Sequence, residues 1–386
     1  MGHSGSFAFK RILLCRMQFF ILTLVFLILH NIKGGVSPSA DGDQRTLSFG
    51  NLPPFVKGGR KLHALVLLMS LPLALSFEIC YNCNRNCKNG KDHIMNDQVF
   101  QQDLSEEENA GAIFVIKLLF KEPPAIPEKS RFEEVMAKRV GSVECFWHDE
   151  KGAGVAAKDY ICHYEDGDIP PQLMITASTD FDGSEYDDFE RSQMWDCMED
   201  RDSILSECKH QVIGVDMMAA ALDAQERAKL DMDFAEALAE LYPHCEAMVF
   251  GNSGKMFLAD EIRNHNIPEK DRFIKFAVNV RFFNVQDSED MVIDTLGMGT
   301  LYLPDIQYHF HGFDPNIIVN HAYCTASYIL DNNNPIEAGD PIDAATESGS
   351  FSRQLQWTCN YENSLIQPSR PVIDICTGKY ASGSRD

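Results

Sequence analysis

Ile113-Phe-Val-Ile-Lys-Leu-Leu-Phe120, followed after three prolines by Glu128-Lys-Ser-Arg-Phe-Glu-Glu-Val-Met-Ala-Lys-Arg-Val140, switches its hydrophobic period from that of a strand to that of a helix. The first run is apolar except for Lys117. Pro123 and Pro124 close it, because proline cannot donate to a β-ladder. In the second run Phe132, Val135, Met136 and Val140 share one helical face. A strand leading into an amphipathic helix is the opening of a β-α-β-β unit.

The pattern continues outward from there. Val143 to Trp147, Tyr160 to Tyr164 and Leu173 to Ala177 read as short strands separated by glycine-rich, acidic or proline-containing turns. Asp187 to Cys208 reads as one helix and Val212 to Val215 as a buried strand. Asp223 to Tyr242 is the clearest amphipathic helix, capped by Asp223 and stopped before Pro243. Ala247 to Phe250 and Met256 to Leu258 form a hairpin across Gly251-Asn-Ser-Gly254. Phe276 to Val285 and Met291 to Leu296 are strands, Asp314 to Leu330 is a helix with Pro315 at its first position, and the tail returns to strands. The expected class is α+β, with tandem ferredoxin-like modules whose antiparallel sheets carry helices on one face. The units expected are 95–218 and 219–386, behind a disordered or non-native extension, 1–94.

Charge separates that extension from the rest. Residues 1–94 hold 11 Lys or Arg against 4 Asp or Glu, whereas residues 95–386 hold 23 against 53, a balance of −30. An acidic body repels phosphate backbones, so nucleic-acid binding is not expected, and a basic protein is the partner its charge suits. Two apolar runs, Ile12 to Leu29 and Leu62 to Phe77, lie in the basic extension. The first, interrupted by Arg16 and Gln18, fits a signal-peptide core better than a membrane span. Met1-Gly2 with Ser6 fits a myristoylation pattern. Cys80, Cys83, Cys87 and His93 offer zinc donors at spacings too tight for a usual finger. Asn51-Leu-Pro-Pro-Phe-Val-Lys-Gly-Gly59 resembles a translated intergenic repeat, which favours native translation from Met95 and a cytoplasmic protein. Membrane attachment is expected only if residues 1–94 are translated. The cysteines Cys145, Cys162, Cys197, Cys208, Cys245, Cys324, Cys359 and Cys376 are scattered and read as reduced, buried thiols.

The run Asn279-Val-Arg-Phe-Phe283, then Asp294-Thr-Leu-Gly-Met298, Leu303-Pro-Asp-Ile-Gln307, and Ile336 with Gly339-Asp340, resembles the bacterial family catalogued as domain of unknown function 4261. Trp195, Asp216 with Met217 and Met218, and Pro371-Val-Ile-Asp374 fall where that pattern places similar residues. The resemblance implies a shared fold and a signature made of Asn279, Arg281, Asp294, Gly297, Pro304, Asp305, Gln307, Gly339 and Asp340. It lends no catalytic residue, because the family has no established activity.

Four groupings invite a chemical reading. Asp305, His309, His311 and His321 could hold a divalent metal, since H-x-H on a strand points both imidazoles to one face and His321 follows on the next helix. Asp182, Glu185, Asp187, Asp188 and Glu190 form an acidic run that could meet a basic partner, though it lacks the ligand spacing of an EF-hand. Asp294, Asp305 and Asp340 would make a pocket if they converged with Arg281. Gly251-Asn-Ser-Gly-Lys255 has a phosphate-loop flavour, yet the glycine gap is short and Met256 stands where a magnesium-binding hydroxyl belongs. The leading expectation is an acidic protein-binding or immunity-type module with no cofactor. The alternative is a metal-assisted enzyme on the Asp305 quartet.

Overall fold

The computed structural model of the chain describes residues 100, 102, 107–108, 111–165 and 167–383. The readings of residues 1–94 and of a start at Met95 lie outside the described residues. In chain order the elements are β1 (Val115–Phe120), α1 (Lys129–Val140), β2 (Val143–Asp149), β3 (Gly152–Ala157), the small hairpin β4 (Cys162–Tyr164) with β5 (Gly167–Ile169), and β6 (Gln172–Thr176). Then come β7 (Thr179–Asp180), α2 (Asp188–Ser192), α3 (Arg201–Glu207), β8 (His210–Met217), α4 (Ala224–Leu241), β9 (Ala247–Phe250) and β10 (Lys255–Leu258). The remainder comprises α5 (Ala259–Arg263), α6 (Arg272–Ala277), β11 (Asn279–Asn284), β12 (Asp290–Leu296), β13 (Asp305–His311), α7 (Pro315–Asp331), β14 (Pro341–Ala345), β15 (Phe351–Asn363) and β16 (Pro371–Cys376). The fold is α+β.

The first sheet runs β10-β9-β1-β8-β6-β3-β2, antiparallel throughout, with β7 paired to β8. It keeps the β-α-β-β-α-β chain order of a ferredoxin-like unit, widened by β3 and β6 between β2 and β8. Alternation along β1 turns Ile116, Leu118 and Phe120 toward α1 and α4, where they pack with Phe132, Phe234 and Leu238. Each buried side chain of this size contributes about 2–3 kcal/mol of burial free energy. Helix α4 sits so close to β8 that a Cβ on Gly214 would stand 2.7 Å from Leu238 Cδ1. Asp223 caps α4 as the sequence indicates, its side chain accepting from the Gln225 backbone N–H.

The opposite face of this sheet is covered too, which corrects the expectation of helices on one face only. Leu119, Ala247, Val249 and Met256 pack there against Phe181, Met194, Ile204 and Leu205. The cover is a broken segment rather than the single helix read from Asp187 to Cys208. Helix α2 stops at Gln193 because that side chain is drawn away: its Nε2 donates to the Phe282 carbonyl at 3.3 Å and its Oε1 accepts from the Phe282 N–H at 3.0 Å. A 3-10 turn, Trp195–Cys197, then leads to α3. Gln193 therefore occupies the hydrogen-bonding edge of β11, which would otherwise lie open. The boundary expected at 218/219 is not a boundary of the sheets, since β9 and β10 complete the first one. The strand expected from Phe276 begins only at Asn279, because α6 runs to Ala277.

The second sheet runs β11-β12-β13-β16-β15-β14 and departs from the ferredoxin-like order. Its β13 and β16 are parallel, and the chain between them passes through α7 and the β14–β15 hairpin. Ile318, Ala322, Ala326 and Ile329 of α7 join Ile306, Tyr308 and Phe310 of β13 in the same core. Asp314 caps α7 and Pro315 opens it, as read from sequence. Among the described residues no helix is long and apolar enough to cross a membrane.

Candidate functional site

The face of the second sheet turned away from α7 is unusual in being both polar and buried. Arg281, Asp294, Gln307 and Asp374 lie opposite one another on four adjacent strands, β11, β12, β13 and β16. All four are buried. Charges out of water persist only when paired and hydrogen-bonded, and here the pairing is dense. Arg281 grips Asp294 through Nε at 2.9 Å and Nη2 at 2.6 Å. Arg370, carried by the loop 364–370, donates Nη2 to Asp294 Oδ2 at 2.8 Å and Nε to Asp305 Oδ2 at 3.0 Å. The other Asp305 oxygen accepts from Thr295 Oγ1 at 2.8 Å and from the Met298 N–H at 3.2 Å.

The same loop is fastened at three further points. Arg281 Nη1 donates to the Gln367 carbonyl, Arg370 Nη1 donates to the Ile366 and Pro368 carbonyls, and Gln307 Oε1 accepts from the Leu365 N–H. Every guanidinium nitrogen of Arg281 and Arg370 thus has a partner inside the protein. Burial opposes the charge of Arg370, but Asp294 and Asp305 outweigh that and raise its pKa. A bound anion would have to displace these partners, so the cluster is built as a clasp.

Glu108 approaches the clasp from outside, its Oε2 3.7 Å from Arg370 Nε and its backbone N–H on the Ser369 carbonyl. Burial, then the Asp305 carboxylate, pushes it up to about 7 against the pull of Arg370. On the neighbouring side, the 3-10 turn Met298–Leu301 offers its Thr300 carbonyl to Arg227 Nη1. Arg227 Nε donates to Asp216 Oδ2 at 2.9 Å, and the adjacent Asp231 is held well above the usual carboxylate range by burial and by Asp216.

The structure brings most of the family-like signature together. Arg281, Asp294, Asp305 and Gln307 form the clasp. Gly297 takes φ 130, and a Cβ there would meet the Ala277 carbonyl oxygen at 2.5 Å, so the turn requires glycine. Pro304 leads into Asp305. Asn279 Nδ2 donates to the Gln193 and Ser253 carbonyls and ties the two sheets. Gly339 and Asp340 stand apart: Asp340 Oδ2 accepts from the Glu337 N–H in a turn, so it does not join Asp294, Asp305 and Arg281.

The metal quartet does not assemble. Asp305 is committed to the clasp. His321 faces the core on the opposite side of β13, bonded to Tyr308 Oη at 2.7 Å and to the Asp343 carbonyl at 2.9 Å, and burial pushes it down to about 4. His309 and His311 share the polar face with Asp290 and Ser382. Among the described residues no group of three or more His, Cys, Asp or Glu side chains is arranged to hold a metal ion.

The acidic run is engaged locally. Asp182 caps a 3-10 turn, Asp187 and Glu190 form a capping box at α2, and Glu185 pairs with Lys117 at 2.8 Å. Asp188 is exposed in the first turn of α2, where a carboxylate suits the helix dipole. The Gly251–Lys255 stretch is the hairpin turn expected, with Lys255 Nζ buried on the Lys275 and Val278 carbonyls. Among the described residues no cysteine is in a disulfide; Cys162, Cys197, Cys208, Cys245 and Cys359 are buried, Cys145 and Cys376 are half-buried, and Cys324 is exposed rather than buried. Sequence reasoning missed Glu108, Gln193, Arg227, Thr295 and Arg370. Gln193 and Arg370 find their partners 89 and 65 residues away, so no local spacing could expose them, and Thr295 and Arg227, with partners 10 and 11 residues away, meet them only through the turn and pairing of the folded chain.

Residues 294–376 match the sequence model of the family described as Domain of unknown function (DUF4261). The match takes in the last residues of β12, then β13, α7 and the strands that follow, and so includes Asp294, Asp305, Gln307, Arg370 and Asp374. No curated protein and no solved structure matches the chain.

Proposed function

We propose that the chain is a protein-binding module whose acidic cover, residues 180–207, meets a basic protein partner, as an immunity-type protein would. The carrying observation is how that cover spends its charges. It holds 11 acidic and 2 basic residues. Both arginines turn inward: Arg191 donates to the Tyr186 and Gly183 carbonyls, and Arg201 to the Arg191 carbonyl and to Asp202. Around them Asp182, Asp187, Asp188, Glu199 and Asp200 are exposed to solvent, while lysines from outside the cover pair with Glu185, Asp196 and Glu207. Such a field speeds encounter with a cationic surface and weakens with salt beyond a Debye length of about 8 Å. The exposed Met198 beside the half-buried Trp195 offers an apolar anchor within it.

The metal-enzyme reading on Asp305, His309, His311 and His321 draws no support from the geometry, because two of the four are committed elsewhere. The binding reading is tested by linking carboxylates to partner lysines in native extract and mapping the links by mass spectrometry. Links should concentrate in residues 180–207 and should fall at least tenfold with Asp180→Asn, Asp188→Asn, Glu199→Gln and Asp200→Asn combined. Links that survive this neutralisation, or that map elsewhere, overturn it.

A further inference from the structure

At one end of the polar face of the second sheet, three potential metal donors gather and one hydroxyl lies between two of them. Asp290 on β12 lies opposite His311 on β13, and His309 lies two residues along the same face. Ser382 is laid across them by the chain end: its N–H donates to the His309 carbonyl at 2.9 Å, and Ala381 bridges to Phe310. The Ser382 hydroxyl donates to Asp290 Oδ1 at 2.8 Å, so His311 Nδ1, at 2.9 Å, donates to it in turn. His309 Nε2 lies 3.4 Å from Asp290 Oδ2. Zinc–nitrogen and zinc–oxygen bonds of roughly 2.0–2.1 Å place tetrahedral donors roughly 3.3 Å apart, which is the spacing of that last pair. The side chains of His309 and Asp290 are 19% and 31% exposed, although the His309 Nε2 atom itself is buried, so an entering ion has to part this end of the face.

We propose that Asp290, His309 and His311 form a site for a first-row divalent ion such as Zn²⁺, with the Ser382 hydroxyl occupying the ion's place in its absence. This differs from the quartet expected from sequence, since it replaces Asp305 and His321 by a carboxylate on the adjacent strand. As the residues stand they are not in coordinating geometry, because Ser382 Oγ holds Asp290 and His311 apart. Binding requires that hydroxyl to swing out. It also requires the His311 proton to move from Nδ1 to Nε2, freeing a lone pair at Nδ1. Two imidazoles and one carboxylate suit Zn²⁺, Co²⁺ or Ni²⁺ better than Ca²⁺ or Mg²⁺, which prefer all-oxygen shells. The site stands independently of the acidic cover.

The test is titration of the full chain with Co²⁺ at pH 7.5, followed by its visible absorption and by the histidine ring signals in NMR, with Zn²⁺ as competitor. One ion per chain is expected, shifting the His309 and His311 signals and leaving that of His321 in place. Asp290→Asn, His309→Gln and His311→Gln should each weaken binding at least tenfold, and Ser382→Ala should hold the ion as tightly as the parent or more so. The proposal fails if the parent takes up no stoichiometric Co²⁺, if His309 and His311 signals do not move, or if the three variants bind as the parent does. Unfolded variants are recognised by lost chemical-shift dispersion. The ring-signal shifts of the parent then decide alone.

Discussion

The clasp of the second sheet and the acidic cover of the first are both rich in charge, yet they use it oppositely. In the clasp a few charges from distant parts of the chain are buried and multiply bonded: Arg370 reaches Asp294 and Asp305 across 76 and 65 residues. In the cover many charges are close in sequence, exposed, and bonded mostly to their own turns, as in the Asp187–Glu190 capping box. Removing one partner of a buried pair leaves the other with an uncompensated desolvation cost, whereas an exposed charge is already solvated. Charge density along a sequence therefore marks surface, and sparse charge within strands of alternating pattern marks the interior.

The sharpest way to break this contrast is to remove one charge from each region. Asp294→Ala leaves both Arg281 and Arg370 without their shared carboxylate and should cost about 3–5 kcal/mol in equilibrium unfolding. A loss below 1 kcal/mol would show the clasp to be ornamental. Glu108 gives a pH signature. Its folded pKa of about 7 lies above the ordinary 4.5, so its contribution is fully present below pH 4.5 and is lost as pH rises to 7. Glu108→Gln should therefore flatten the stability profile between pH 4.5 and 7 and raise stability above pH 7 by up to about 3 kcal/mol. An unchanged profile contradicts the placement of Glu108 beside Asp305.

Gly297→Ala should cost roughly 1–3 kcal/mol through backbone strain and the Ala277 carbonyl, read as a lowered unfolding midpoint. In the cover the effects shrink. Asp187→Ala removes one cap and should cost about 1 kcal/mol. The fourfold neutralisation of Asp180, Asp188, Glu199 and Asp200 should change stability by under about 0.5 kcal/mol per site. A cover variant as destabilised as Asp294→Ala would erase the distinction.

The same contrast governs what was legible beforehand. Helices α4 and α7 could be placed to within a residue or two because Asp223, Asp314 and Pro315 signal locally. That Asp294 and Asp305 would converge with Arg281 could be stated only as a condition, and Gln307 only as part of a pattern, because pairing across β11, β12 and β13 is a property of register. Arg370 was invisible, lying among prolines and serine in what reads as an ordinary loop. The helix expected over Asp187–Cys208 failed because Gln193 serves the edge of a strand 89 residues on. His321 was misassigned since the parity of β13 turns Tyr308, and not His309, toward α7.

The central claim is that the charges of the family-matched sheet hold the loop 364–370 in place. A double-mutant cycle of Arg370→Met and Asp305→Asn, read by chemical denaturation, tests it most directly. The account predicts a coupling energy above about 1 kcal/mol, the pair of substitutions together being less harmful than the sum of the two alone. Strictly additive losses would show that the two groups do not act on each other, and the clasp would have to be abandoned.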